Sequence, residues 1–239
     1  MLARCSPVGN GCAADGCADV KAKLPAAVIF DMDGTLLDTE RMSKRAWPVA
    51  AASLGVDFDA DLPMAMVGHN TRDCAQMIIE RHGPAFPVDK LMQAMRDAYD
   101  NLVEREGIVV MPGAIDLIAW LEARHIPIAV ATSTRRVRAE AKLQATGLLP
   151  HLVALVGGDE VEHGKPAPDI YLEAAARLGQ RPGDCMAIED SEAGYLAAHR
   201  AGMTVALVPD LMPPSSAVLA LDAHVMPTLA GVRAWLARD

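Results

Sequence analysis

An apolar run ends abruptly on two aspartates spaced i, i+2 in Val28-Ile29-Phe30-Asp31-Met32-Asp33-Gly34-Thr35. A continuous run of this kind marks a strand buried on both faces, the habit of parallel sheets. In extended backbone, positions i and i+2 point to the same side. The octet therefore sets two carboxylates together at the end of a buried strand. At roughly 4 Å and an effective dielectric of about 20, they repel by about 4 kcal/mol. A divalent cation with oxygen ligands is the natural partner for such a pair. An acidic turn closing the strand is the plainer alternative.

The pattern recurs along the chain. Ala27–Phe30 leads to Asp31, Ile126–Ala131 to Thr132-Ser133-Thr134, and Leu152–Val156 to Gly157-Gly158-Asp159. Met186–Ile188 leads to Glu189-Asp190, and Thr204–Val208 to Pro209-Asp210. Helical patterns lie between them at Gly113–Arg124, Arg135–Thr146, Asp169–Leu178 and Ser191–Ala201, with Ser191 an N-cap candidate. Strand and helix alternating in this way predict an α/β fold, a Rossmann-like parallel sheet core with helices on both faces. In such sheets the site lies beyond the carboxyl ends of the strands, where these polar residues fall.

Residues 41–109 break the rhythm. They hold helical patterns at Met42–Leu54, Arg72–His82 and Val88–Glu106, separated by links containing Gly55, Gly68 and Gly83-Pro84. We expect an inserted α-helical cap over 41–109 and a catalytic core of 25–40 and 110–239. Because the insertion starts just after Asp33, it is placed to act as a lid. Residues 1–24 read as a tail rich in Ala, Gly and Cys.

Composition narrows the partners. The 239 residues carry 22 Lys+Arg against 31 Asp+Glu, a formal charge of −9. That balance disfavours nucleic acid and anionic membrane surfaces, yet leaves room for a small anionic substrate held by a metal and a few placed cations. No apolar run reaches the roughly 18 residues of a membrane span. Met1 to Lys23 holds no continuous apolar stretch, so no secretory signal is expected. The odd set Cys5, Cys12, Cys17, Cys74 and Cys185 reads as reduced thiols in a cytoplasmic protein.

The strand-end residues divide into roles. Asp31 can attack an electrophile and form a covalent intermediate. Asp33 can protonate a leaving group and then activate water. Thr132 offers a hydroxyl, and the amide after it an anion contact. Lys165, in His163-Gly164-Lys165-Pro166-Ala167-Pro168, sits where prolines stiffen the chain and can pin a carboxylate to an anionic oxygen. Glu189 and Asp190 supply a second acidic pair for a magnesium ion. This set suits phosphoryl transfer.

Asp31-Met32-Asp33-Gly34-Thr35, Thr132-Ser133, Gly164-Lys165-Pro166 and Glu189-Asp190-Ser191-Glu192-Ala193-Gly194 together resemble the motifs of a haloacid dehalogenase superfamily phosphatase with a helical cap. The resemblance spans roughly residues 25 to 230. It implies a magnesium-dependent hydrolase of a small phosphomonoester, such as a sugar phosphate, working through an aspartyl-phosphate on Asp31 with Asp33 as acid and base. It implies Mg2+ held by the Asp31 and Asp190 side chains and the Asp33 carbonyl, with Glu189 assisting. It implies Thr132 and the Ser133 amide on the phosphoryl group, Lys165 bridging it to Asp31, and Gly34 to Asp38 as a flap. Substrate choice would fall to the loop Gly68-His69-Asn70-Thr71-Arg72, with His69, Asn70 and Arg72 as contacts. Arg135 and Arg136, just past the second strand-end motif, either add positive potential to the site or form a solvated first helical turn, and the second reading is preferred. A monomer or weak dimer is expected.

Three other family activities compete, and beta-phosphoglucomutases resemble this chain closely in pattern. Dehalogenases lack the second aspartate, present here as Asp33. Phosphonate hydrolases use a cap lysine; Lys44 lies in the first cap helix, with nothing to desolvate it. Beta-phosphoglucomutases share Arg45-Ala46-Trp47 but carry a histidine four residues before the tryptophan, where this chain has Ser43. That departure favours hydrolysis and leaves a mutase-type phosphotransferase as the alternative. A binding protein on the same scaffold would be expected to have lost Asp31, Asp33, Lys165 or Asp190, and all are present.

Overall fold

The structure, a computed structural model, describes residues 24–67, 69, 71–221 and 223–238. Cys5, Cys12 and Cys17 of the tail, and Gly68 and Asn70 of the insertion loop, lie outside the described residues.

β1 (Ala27–Phe30) is followed by four helices, α1 (Glu40–Leu54), α2 (Leu62–Ala65), α3 (Thr71–His82) and α4 (Val88–Glu106). The chain then alternates through α5 (Ala114–Glu122), β2 (Ile128–Thr132), α6 (Arg136–Ala145), β3 (Ala154–Gly157) and α7 (Asp169–Arg177). β4 (Cys185–Glu189), α8 (Glu192–Arg200) and β5 (Thr204–Leu207) continue it, and α9 (Ser216–Leu219), β6 (His224–Val225) and α10 (Leu229–Leu236) close it. All strand pairs are parallel, in the order β3-β2-β1-β4-β5-β6. The order reverses at β1, so the crevice beyond its carboxyl end is the topological switch point, where open α/β sheets place their ligands.

Alternation along the buried strands makes two cores. Val28 and Phe30 face one side with Ile128, Val130 and Ile188, covered by Leu117 and Leu121 of α5, Leu143 of α6 and Val232 of α10. Ala27 and Ile29 face the other with Ala129, Ala131 and Ala187, against Ala174 and Ala175 of α7 and Ala197 and Ala198 of α8. Small residues on both partners let those helices sit close to the sheet. Helices α1 to α4 have a core of their own, built on Trp47, Ala50, Ile78 and Leu91. No helix among the described residues is long and apolar enough to cross a membrane. Cys74 and Cys185 are buried free thiols.

The structure moves some expected boundaries. β2 starts at Ile128, after Pro127, which has no amide hydrogen to give a ladder, and it runs on to include Thr132. β3 starts at Ala154, because Leu149–His151 form a 3-10 turn. Ser191 caps α8 as expected, its hydroxyl accepting from the Gly194 amide. β6, α2, α9 and α10 were outside the expected set. The first three span two to four residues, too short for a periodic signal. α10 did leave one: Thr228 caps it, and Leu229, Val232 and Leu236 form its buried face.

Candidate active site

The ends of β1, β2 and β4 carry buried polar side chains, and the loop before α7 adds Lys165. Lys165 is 2% exposed, and its ammonium donates to Asp31 Oδ1 and, at 2.6 Å, to Glu189 Oε1. The Tyr171 hydroxyl donates to the same Glu189 oxygen at 2.6 Å. Glu189 Oε2 accepts from the Ser191 hydroxyl at 3.2 Å and from the Asp190 and Ser191 amides. Glu189 is thus saturated with donors and acts as the post to which Lys165 is fixed. Helix α8 passes so close that a Cβ at Gly194 would lie 1.8 Å from Glu189 Oε1.

Carboxylate oxygens of Asp31, Glu189 and Asp190 lie within 4.8 Å of one another. Burial pushes the Asp31 carboxyl well above the usual carboxylate range; Lys165 opposes this, while Glu189 and Asp33 add to it. Asp190 is pushed up in the same way by burial and by Asp31, Glu189 and Glu40. Its Oδ1 accepts from Thr35 Oγ1 at 3.3 Å. Three carboxylates face one ammonium here. An all-oxygen donor set with that excess of negative charge fits a hard divalent cation at Asp31 and Asp190. Gly34 makes room for this: at φ +88° its missing Cβ would fall 2.2 Å from Asp190 Oδ2.

Asp33 turns its carboxylate away from that cluster. Oδ1 accepts from Thr39 Oγ1 at 2.6 Å and from Lys142 Nζ at 2.7 Å. Oδ2 accepts from Thr134 Oγ1 at 2.7 Å and Thr132 Oγ1 at 3.3 Å. Burial alone would raise its pKa, but the Lys142 ammonium and these hydroxyls outweigh it and hold Asp33 below the usual range. Lys142, over the Tyr99 ring at 5.0 Å, thereby ties α6 to α4. Sequence reasoning passed over Lys142 and Thr134. Lys142 falls within a helix pattern, ten residues past Thr132, and carries no local sign of its contact with Asp33.

A cavity of about 610 Å³ opens over this site and brings Asp31, Asp33, Thr132, Ser133 and Asp190 together. Its far wall is helical: Glu40, Ser43 and Trp47 from α1, and Gln93, Arg96 and Tyr99 from α4. His69 lines it and also a neighbouring apolar cleft. Arg72 does not join them. Successive helix residues point about 100° apart, so Thr71 lines the cavity while Arg72 is exposed on the first turn of α3. Arg135 lines the cavity and pairs with Asp159 at 3.4 Å, with its side chain 73% exposed. Arg136 is turned to Leu155 and Glu160. Burial and Asp33 push the Glu40 carboxyl up to about 8. The α4 residues were also missed, because apolar residues at helical spacing, such as Met92, Met95 and Tyr99, mark an inward face without telling a cavity from a core.

The family model for haloacid dehalogenase-like hydrolases matches residues 25–202. The chain is 35% identical over 178 residues to fructose-1-phosphate phosphatase YqaB of Escherichia coli, covering 74% of this chain and 93% of that one. It is 39% identical over 199 residues to (DL)-glycerol-3-phosphatase 2 of Arabidopsis thaliana, covering 77% and 79%. The crystal structure of CbbY from Rhodobacter sphaeroides in complex with phosphate superposes with a TM-score of 0.74 at 28% identity, over 89% of this chain and 99% of that one.

Proposed function

The chain belongs to the haloacid dehalogenase-like hydrolase family, and on that premise we propose that it is a magnesium-dependent phosphatase of a small phosphorylated metabolite, a sugar or polyol phosphate. The observation that carries this reading is the pairing of Lys165 with Asp31 and Glu189 beneath a cavity that also holds Asp33 and Thr132. The two relatives act on a ketose phosphate and a glycerol phosphate, as their names state, which supports the substrate class without choosing one compound.

Asp31 attacks the phosphorus in line and becomes an aspartyl-phosphate as the alcohol leaves. Lys165, fixed by Glu189 and Tyr171, holds Asp31 in place and faces the charge that grows on the phosphoryl oxygens. Thr132 and the Ser133 amide cradle the phosphoryl group. Lys142 and the surrounding hydroxyls hold Asp33 ionised, so it takes up a proton as substrate binds, gives it to the leaving oxygen, and then takes one from the water that cleaves the intermediate. Asp31, Asp190 and the Asp33 carbonyl would hold Mg2+, which when bound neutralises the acidic cluster and polarises the phosphoryl oxygens. Residues 41–109 serve as the cap that closes over the leaving group. Ser43 lines the cavity at the position where mutases carry their gating histidine, which supports release to water. The charge of −9 supports a small-molecule partner over nucleic acid, and we place the protein in the cytoplasm as a monomer or weak dimer.

The test is phosphate release from a panel of small phosphomonoesters, with magnesium and with chelator. Release that needs magnesium and is lost in Asp31→Asn is the expected result. Turnover retained by Asp31→Asn ends the covalent mechanism. Conversion of beta-glucose 1-phosphate to the 6-phosphate without release would move the assignment to a mutase.

A further inference from the structure

The cations lining the cavity differ in what they hold. Lys142 pairs with Asp33 at 2.7 Å, Arg138 forms two bonds to Asp100, and Arg135 faces Asp159. Arg96 pairs with no carboxylate among the described residues; its Nη2 and Nε donate to the neutral Gln93 Oε1 at 2.7 and 3.3 Å. Gln93 donates in turn to Asp97, which keeps the adjacent acid one side chain away from the guanidinium. One turn along α4, Tyr99 is 6% exposed; its hydroxyl oxygen faces the Lys142 ammonium, and its own proton meets no acceptor among the described residues. Arg96 and Tyr99 are three apart, so they share a helix face, and both line the cavity. A half-buried cation without a counter-charge and a buried hydroxyl whose proton lacks an acceptor are both costly, and one anion satisfies both.

We propose that the Arg96–Tyr99 face of α4 is a subsite for a second anionic group, so that the preferred substrate is a phosphomonoester carrying a carboxylate or another phosphate at its far end. The Arg96 guanidinium takes that anion by charge-assisted hydrogen bonds, and the Tyr99 hydroxyl donates a further one. The proposal rests on the phosphatase reading and narrows it.

The experiment compares matched substrates: a ketose monophosphate against its bisphosphate, and glycerol phosphate against phosphoglycerate, with para-nitrophenyl phosphate reporting the chemistry alone. The wild type is expected to favour the anionic member of at least one pair through KM. Arg96→Gln is expected to raise that KM by roughly 10- to 100-fold with kcat little changed. Arg96→Lys should recover part of the loss, and Tyr99→Phe should show a smaller one. The responding pair tells phosphate from carboxylate. A wild type without preference, or a preference that survives Arg96→Gln, overturns the subsite. If para-nitrophenyl phosphate is still hydrolysed in that case, the phosphatase reading stands alone; if no ester is hydrolysed, both fall.

Discussion

The two ends of the cavity are held in different ways. At the strand ends, Asp190 and its metal position aside, the partners are already in place: Lys165 on Asp31 and Glu189, Tyr171 and Ser191 on Glu189, and hydroxyls and an ammonium around Asp33. At the α4 wall, among the described residues, the Arg96 charge has no carboxylate and the Tyr99 hydroxyl proton has no acceptor. Groups that stabilise a transition state work best when fixed beforehand. Groups that select a substrate are free to meet it. The contrast assigns chemistry to the sheet and selection to the helices.

Lys165→Met tests the fixed end most severely. It leaves Asp31 and Glu189 facing each other in a buried site without their cation. Removing one partner of a buried ion pair costs about 3–5 kcal/mol, and urea unfolding in chelator should show a loss of that order. Arg96→Gln, at the open end, should move stability by no more than about 0.5 kcal/mol. Equal losses for the two variants would erase the contrast.

Asp33→Asn comes next in size. The amide cannot exchange a proton with the leaving oxygen, so kcat should fall by roughly 10²–10⁴. The fold should survive, because an amide oxygen still accepts from Thr39 or Thr134. A loss below about threefold would remove Asp33 from the acid–base role.

How much the sequence revealed follows the same division. The strand ends were legible because a buried parallel strand has an unmistakable composition, and its last residues must face the switch point. Asp31, Thr132, Lys165, Glu189 and Asp190 all converge as their positions implied. The helical wall was not. Amphipathic spacing tells which face of α4 is inward, yet a cavity and a core make the same pattern, so Arg96 and Tyr99 had no distinct signature. Arg72 shows the converse: it stood beside a recognisable loop, and one step of helix rotation turned it to solvent. Lys142 reaches Asp33 across a sequence separation of 109, a pairing that needs the three-dimensional fold.

The smallest effect bears on Glu40, which stands between the two ends. Burial and Asp33 raise its carboxyl from an ordinary 4.5 to about 8. Unfolded, the group has lost its proton above that lower value; folded, it keeps it. The unfolded state therefore binds fewer protons through this window, and stability falls as pH rises from about 5 to 8, then levels off. Glu40→Gln abolishes that contribution, so the variant should lose less stability than the wild type between about pH 5 and pH 9 in chelator. Glu40 is only partly buried, and water screening holds the difference to about 1 kcal/mol or less. Parallel slopes in the two proteins would make Glu40 an ordinary ionised carboxylate.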